Sequence, residues 1–144
     1  MRGYADYFNC FFMTKLEEKT HGKCAYCGVY VIGNSTIDHI IPRSIFDFRV
    51  FSKVGVPCFL SHLVMGQSEH EDNLFAACRY CNEYKSDMDI ESFRRSIAAS
   101  VRRLTKKSTE YKVAKRFGLV QEVITPKIHF YFESIDRFNI HNSA

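Results

Sequence analysis

The sequence predicts an α+β fold on three observations: two C-x-x-C knuckles frame the middle of the chain, short alternating runs between them suit strands, and helical apolar periods occupy both ends. At 144 residues and 16.8 kDa it suits one domain spanning 1–144. A composition 46% hydrophobic and 25% charged, with 13 Phe and 8 Tyr, excludes a disordered chain. No apolar run approaches the roughly 20 residues of a membrane-spanning helix, and no secretory leader pattern opens the chain. The expectation is an intracellular, cytoplasmic protein without a membrane partner, in which cysteines serve as metal ligands or buried thiols rather than disulfides.

Residues 4–19 read as an amphipathic helix, with Tyr4, Tyr7, Phe8, Phe11, Phe12 and Leu16 at three- and four-residue steps. Its aromatics are expected to pack on the core. Val29 to Ile32, the turn formers Gly33 and Asn34, and Thr36 to Ile41 suggest a β-hairpin. The long stretch to Asp72 has no sustained period and reads as a loop with short helical pieces. Asn73 to Ala77 suits a short strand or turn, and Asn82 to Ser86 a short helix.

A longer helix is expected after Asp89, carried by Ile90, Phe93, Ile97, Val101 and Leu104. Ser108 can cap a following helix that Gly118 ends. Lys127 to Glu133 alternates and reads as a half-buried strand. The extension is thus expected to be helical with a final strand.

Cys24, Cys27, Cys78 and Cys81 supply four thiolates, enough to close a tetrahedral Zn²⁺ site with no open position, which makes that site structural. A redox pair is the alternative, but it needs only one C-x-x-C. Cys10 and Cys58 lack partner spacing and are expected to be buried thiols. His21, His62 and His70 are spare candidates for ligation. Tyr26 and Tyr80, at matching places in the knuckles, are expected to pack around the zinc or the helix.

Charge is segregated as well. Between residues 94 and 116 nine cations face only Glu110, in a chain whose net charge is +4. Clustered Lys and Arg favour a polyanion through counterion release, against the plainer reading of a solvated helix face.

Three runs, C-A-Y-C-G, D-H-I-I-P-R-S and E-D-N-L-F-A-A-C-R-Y-C-N-E-Y-K, together resemble the HNH endonuclease family over about residues 20–95. The resemblance implies a ββα-metal core, here stapled by the four cysteines, with the N-terminal helix at 4–19 and a basic C-terminal extension at 96–144 outside it. It implies that His39 is the general base that activates water, that Asp38 and Asn82 hold a catalytic Mg²⁺ or Mn²⁺, and that Asn73 ties down the loop and orients the histidine. An imidazole suits that proton transfer at neutral pH, and oxygen donors suit a hard cation. The literal H-N-H letters are replaced by Asp-His at the first position and Asn at the last. Residues 44–70 read as an insertion.

The function expected is metal-dependent hydrolysis of DNA phosphodiesters, with RNA left open as a substrate, as are a protein partner and a second copy of the chain. Restriction, defence and mobile-element settings are all compatible with it. Arg43, Lys85, Arg94, Arg95, Arg102, Arg103, Lys106 and Lys107 are the candidate nucleic-acid contacts. The alternative is a zinc-stapled nucleic-acid-binding module without chemistry.

Overall fold

The computed structural model describes residues 4–47, 56–123 and 127–135, with side chains described from Phe12 to Phe46 in the first of these stretches. The fold is a mixture of helices and one small sheet. In order come α1 (Tyr4–Lys19), β1 (Thr36–His39), α2 (Arg43–Asp47), β2 (Leu74–Ala77), α3 (Arg79–Lys85), α4 (Ile90–Ala98), α5 (Ser100–Lys107) and α6 (Thr109–Arg116). The chain divides into two compact units, 1–90 with 129–144, and 91–128.

In the first unit β1 and β2 pair antiparallel, with Thr36 opposite Ala77 and His39 opposite Leu74. A two-stranded ribbon is marginal alone, and its outward carbonyls need donors. On the β1 edge, Asn82 Nδ2 donates to the Ile37 carbonyl at 3.2 Å and Lys85 Nζ to the His39 carbonyl at 2.6 Å. On the β2 edge, Lys19 Nζ donates to Leu74 at 2.8 Å and the Ala25 amide to Ala76 at 2.9 Å. Both edges are therefore closed by other parts of the same unit, which also blocks pairing with another chain.

β2 is buried along its whole length, and Phe75 meets Phe59 and Phe132 with ring centroids 6.1 and 5.9 Å away. Tyr26 and Phe130 extend that aromatic cluster, their rings edge to face at 5.3 Å. Leu16 brings α1 into the core. The side chains of Tyr4, Tyr7, Phe8, Phe11 and Cys10 lie outside the described residues.

α1 ends in a Schellman arrangement. The Gly22 amide donates to the Glu17 carbonyl at 2.7 Å and the His21 amide to Glu18 at 3.2 Å, with φ of 51° at His21 and 72° at Gly22. A Cβ on Gly22 would stand 2.7 Å from the Ile32 side chain. Ile32 is exposed and can swing away, so the left-handed φ decides the cost. Gly22→Ala is expected to lower stability by about 1–2 kcal/mol, read from the urea midpoint at constant m.

Three expectations change. The hairpin proposed for residues 29–41 does not form: Tyr30 makes only an isolated bridge to Lys23, Tyr30 and Ile32 are exposed, and β1 pairs instead with β2 across the long loop. The helix expected from Ile90 to Leu104 is two helices, α4 and α5, joined at Ala99. The strand proposed over Lys127–Glu133 is a 3₁₀ turn at Tyr131–Ser134, because Glu133 turns back to accept the Phe130 amide at 2.9 Å.

Other elements follow their local signals. Ser108 caps α6 by accepting the Tyr111 amide at 3.1 Å, and Gly118 follows with φ of 72°. Among the described helices none is long and apolar enough to cross a membrane.

Candidate metal centre and cleft

Cys24 and Cys27 sit in the turn after α1, while Cys78 is the N-cap of α3 and Cys81 lies in its first turn. Their four Sγ atoms lie within 4.8 Å of one another, and Cys27 and Cys78 are 3.8 Å apart. A tetrahedron with Zn–S bonds of about 2.3 Å has edges of about 3.8 Å, so the sulfurs have near zinc-binding geometry. Hydrogen bonding from Cys81 pulls the Cys24 thiol down to about 4, against burial, while the same contact and then burial push Cys81 up. The cluster by itself favours a thiolate at Cys24 and resists one at Cys81, and a cation removes that conflict. Four thiolates of this kind fit Zn²⁺.

Two other cysteine-related expectations fail in part. Cys58 is exposed, not buried, because it opens a 3₁₀ turn on the surface. Tyr26 is buried, but Tyr80 is 84% exposed on the outer face of α3 and packs on nothing central.

Beside the knuckles, an open cleft of about 400 Å³ is lined by Asp38, His39, Arg43 and Asn82, together with Ile37 and Asp87. Residues scattered along the sequence meet here because α3 lies across the open edge of β1. Asn82 donates through Nδ2 to Thr36 Oγ1 at 2.9 Å and to the Ile37 carbonyl, which fixes the amide. Its Oδ1 is left without a donor among the described residues.

Asn73 is fully buried and acts as a clamp. Its Oδ1 accepts the Ile41 amide at 2.8 Å, while Nδ2 donates to the carbonyls of Ile41 at 3.0 Å and Ser68 at 2.9 Å. The end of β1 is thereby pinned to the loop that precedes β2, two residues beyond His39.

His39 Nε2 lies 3.0 Å from Glu69 Oε1 and 3.2 Å from Arg43 Nε, while Arg43 Nε is 2.7 Å from the same Glu69 oxygen. Arg43 Nε–H donates to His39 Nε2 and the guanidinium pairs with Glu69, so the three groups form one linked set at the cleft. Burial raises Glu69, but His39 and Arg43 outweigh it and hold the carboxylate below its usual range. Glu69 was not visible as a site residue in the sequence, since a lone loop glutamate has no period and no partner spacing.

Asp38 is buried. It accepts from the Tyr26 hydroxyl and pairs with Lys85 Nζ, 3.1 Å from Oδ2 and 3.4 Å from Oδ1. Burial pushes Asp38 above the carboxylate range, with Lys85 and Tyr26 opposing; burial likewise pulls Lys85 down, with Asp38 opposing. Burial, then the Asp38 charge, raises Tyr26 far above its ordinary value, so its hydroxyl stays the donor.

No family model, curated protein or solved structure matches the chain.

The basic candidates fare unevenly. Lys85, expected at a phosphate, is fully buried and cannot meet one. Arg43 is exposed at the cleft. In the second unit Arg94 is bound to Glu91 and to the Ile128 carbonyl, and Arg103 to the Ser96 carbonyl. Arg95 reaches Ser92. Arg102, Lys106 and Lys107 project from α5 as exposed cations.

Proposed function

We propose that the chain is a metal-dependent endonuclease of the HNH kind that hydrolyses DNA phosphodiesters at the cleft beside β1. One observation carries this reading: His39, tied to Glu69 and Arg43, lines one cleft with Asp38 and Asn82. In this reading the His39 imidazole accepts a proton from the attacking water, which forms the new bond to phosphorus as the scissile P–O bond breaks. Glu69 then steadies the imidazolium, and Asn73 keeps the strand end that bears His39 in place. Arg43 at the cleft mouth supplies charge for the phosphate.

Asp38 and Asn82 would hold Mg²⁺ or Mn²⁺, whose chemistry is stabilisation of the leaving 3′ oxygen. The donors fit such an ion: all are oxygens, Asn82 Oδ1 is unclaimed, and Asp38 Oδ1 has only the long Lys85 contact. Because Lys85 already neutralises Asp38, affinity for the ion depends on the substrate phosphate, as is common for Mg²⁺. The exposed cations of α5 add sequence-independent grip on a polyanion.

Supercoiled plasmid should be nicked with Mg²⁺ or Mn²⁺ and left intact without added divalent ion. His39→Ala should fold and bind DNA as the native chain does while cleavage falls about 100-fold or more. Native-like cleavage by that variant would sink the assignment. The engagement of Asp38 by Lys85 favours a second reading, a zinc-stapled nucleic-acid-binding module. No metal-dependent cleavage of any DNA or RNA, with binding retained, would decide for it.

A further inference from the structure

Away from the cleft, the segment leading to β2 gathers a set of ligands that neither the four cysteines nor the cleft uses. We propose that His62, His70 and Asp72 form a second metal site, binding one divalent first-row transition-metal ion such as Zn²⁺ through two imidazole nitrogens and one carboxylate oxygen. One ligand atom from each lies within 4.8 Å of the others. His62 Nε2 is 3.0 Å and His70 Nδ1 3.7 Å from the same oxygen, Asp72 Oδ2. Two such atoms bonded to one ion at about 2.0–2.2 Å stand about 3–3.5 Å apart, so small side-chain rotations complete the triangle. The two rings are already edge to face, 5.6 Å between centroids.

The backbone holds these residues in place while the side chains keep room to adjust. His62 lies between Leu60 and Leu63, both fully buried, and follows the 3₁₀ turn Cys58–Leu60. His70 is the N-cap of the 3₁₀ turn Glu71–Asn73, in which Asp72 sits. The His62 side chain is 51% exposed and Asp72 33%, so an ion can enter from solvent.

Protonation also favours a cation. His70 Nδ1 accepts the Asp72 amide at 3.2 Å, which puts the ring proton on Nε2 and a lone pair on the side facing Asp72. Between His62 Nε2 and Asp72 Oδ2 a single proton bridges the gap. An ion takes the place of that proton, His62 shifting its hydrogen to Nδ1, and takes the His70 lone pair in exchange for the bond from the Asp72 amide. A proton links two of the three side chains, whereas a metal links all three. Two imidazoles and one carboxylate suit Zn²⁺, Co²⁺ or Ni²⁺ better than Mg²⁺. Three protein ligands leave a position for water, unlike the closed cysteine site.

Such an ion would fasten residue 62 to residues 70–72, and so steady Glu69 and Asn73 on either side of His70. This site stands apart from the nuclease reading of the cleft.

Equilibrium dialysis of the full chain against micromolar free zinc, with metal counted by mass spectrometry, should give two ions per chain. His62→Ala/His70→Ala and, separately, Asp72→Asn should each retain one. When Co²⁺ replaces the more weakly held ion in the native chain, weak d–d absorption should appear without thiolate charge transfer. One ion in the native chain, or two in the variants, would overturn the site. Retention of the cysteine-bound ion in the variants shows that they are folded.

Discussion

Cys81→Ser, or removal of zinc with a strong chelator under reducing conditions, is expected to abolish the cooperative thermal transition of the first compact unit. The four cysteines join two points far apart in the chain, the turn after α1 and the start of α3. Between them lie β1, the loop and β2, whose pairing depends on α3 lying against the β1 edge. Apparent binding energies for structural zinc are about 10–16 kcal/mol, as large as the whole stability of a typical domain. Without the ion, Cys24 favours a thiolate and Cys81 resists one, although all four sulfurs stand within 4.8 Å of one another. The unit then loses its fastening. The expected readout is loss of far-UV helicity and of amide protection in β2, restored on adding zinc. A zinc-free chain that still unfolds cooperatively within a few degrees of the native midpoint would refute a structural ion.

That site was legible because its signal is local chemistry: two pairs of soft ligands, each at knuckle spacing. α6 was legible for a similar reason, since Ser108 and Gly118 mark its ends by hydrogen bonding and by φ. Pairing between distant segments has no such mark. The apolar run Val29–Ile32 matched a strand as well as Leu74–Ala77 does, and only the tertiary structure tells which of them meets β1. Alternation misled at Lys127–Glu133 too, where Phe130 and Phe132 are buried through a turn rather than a pleat.

The candidate site shows the same division. His39, Asn73 and Asn82 each have side-chain hydrogen-bond partners, and Asn73 holds the backbone of Ile41 and Ser68. Glu69 needed the fold to be seen. A lysine reads as surface by default, yet Lys85, three residues after Asn82, shares one helix face with it. That face covers the β1 edge, and the edge has two carbonyls to satisfy.

Lys85→Met should cost about 3–5 kcal/mol, because it strands a buried carboxylate and frees the His39 carbonyl. Asp38→Asn keeps the acceptor for Tyr26 but leaves the ammonium without its counter-charge, and a loss of similar size is expected. The double variant removes both charges together and should be more stable than the sum of the single losses allows, by about 1–3 kcal/mol in a double-mutant cycle. Additivity would show that the two groups do not act as a pair. The pH dependence of Lys85→Met follows from the sign of the Asp38 shift. Burial already raises Asp38 in the fold, and removing Lys85 deletes the main influence that opposes it. A carboxyl raised in the folded state holds its proton longer there than in the unfolded chain, so stability falls as pH rises from about 4 through the folded value. The gap between Lys85→Met and the native chain should therefore narrow in acid, measured by denaturant midpoints across that range. A gap that stays constant in acid would mean that Lys85 acts chiefly through the His39 carbonyl, and that Asp38 is held by Tyr26 alone.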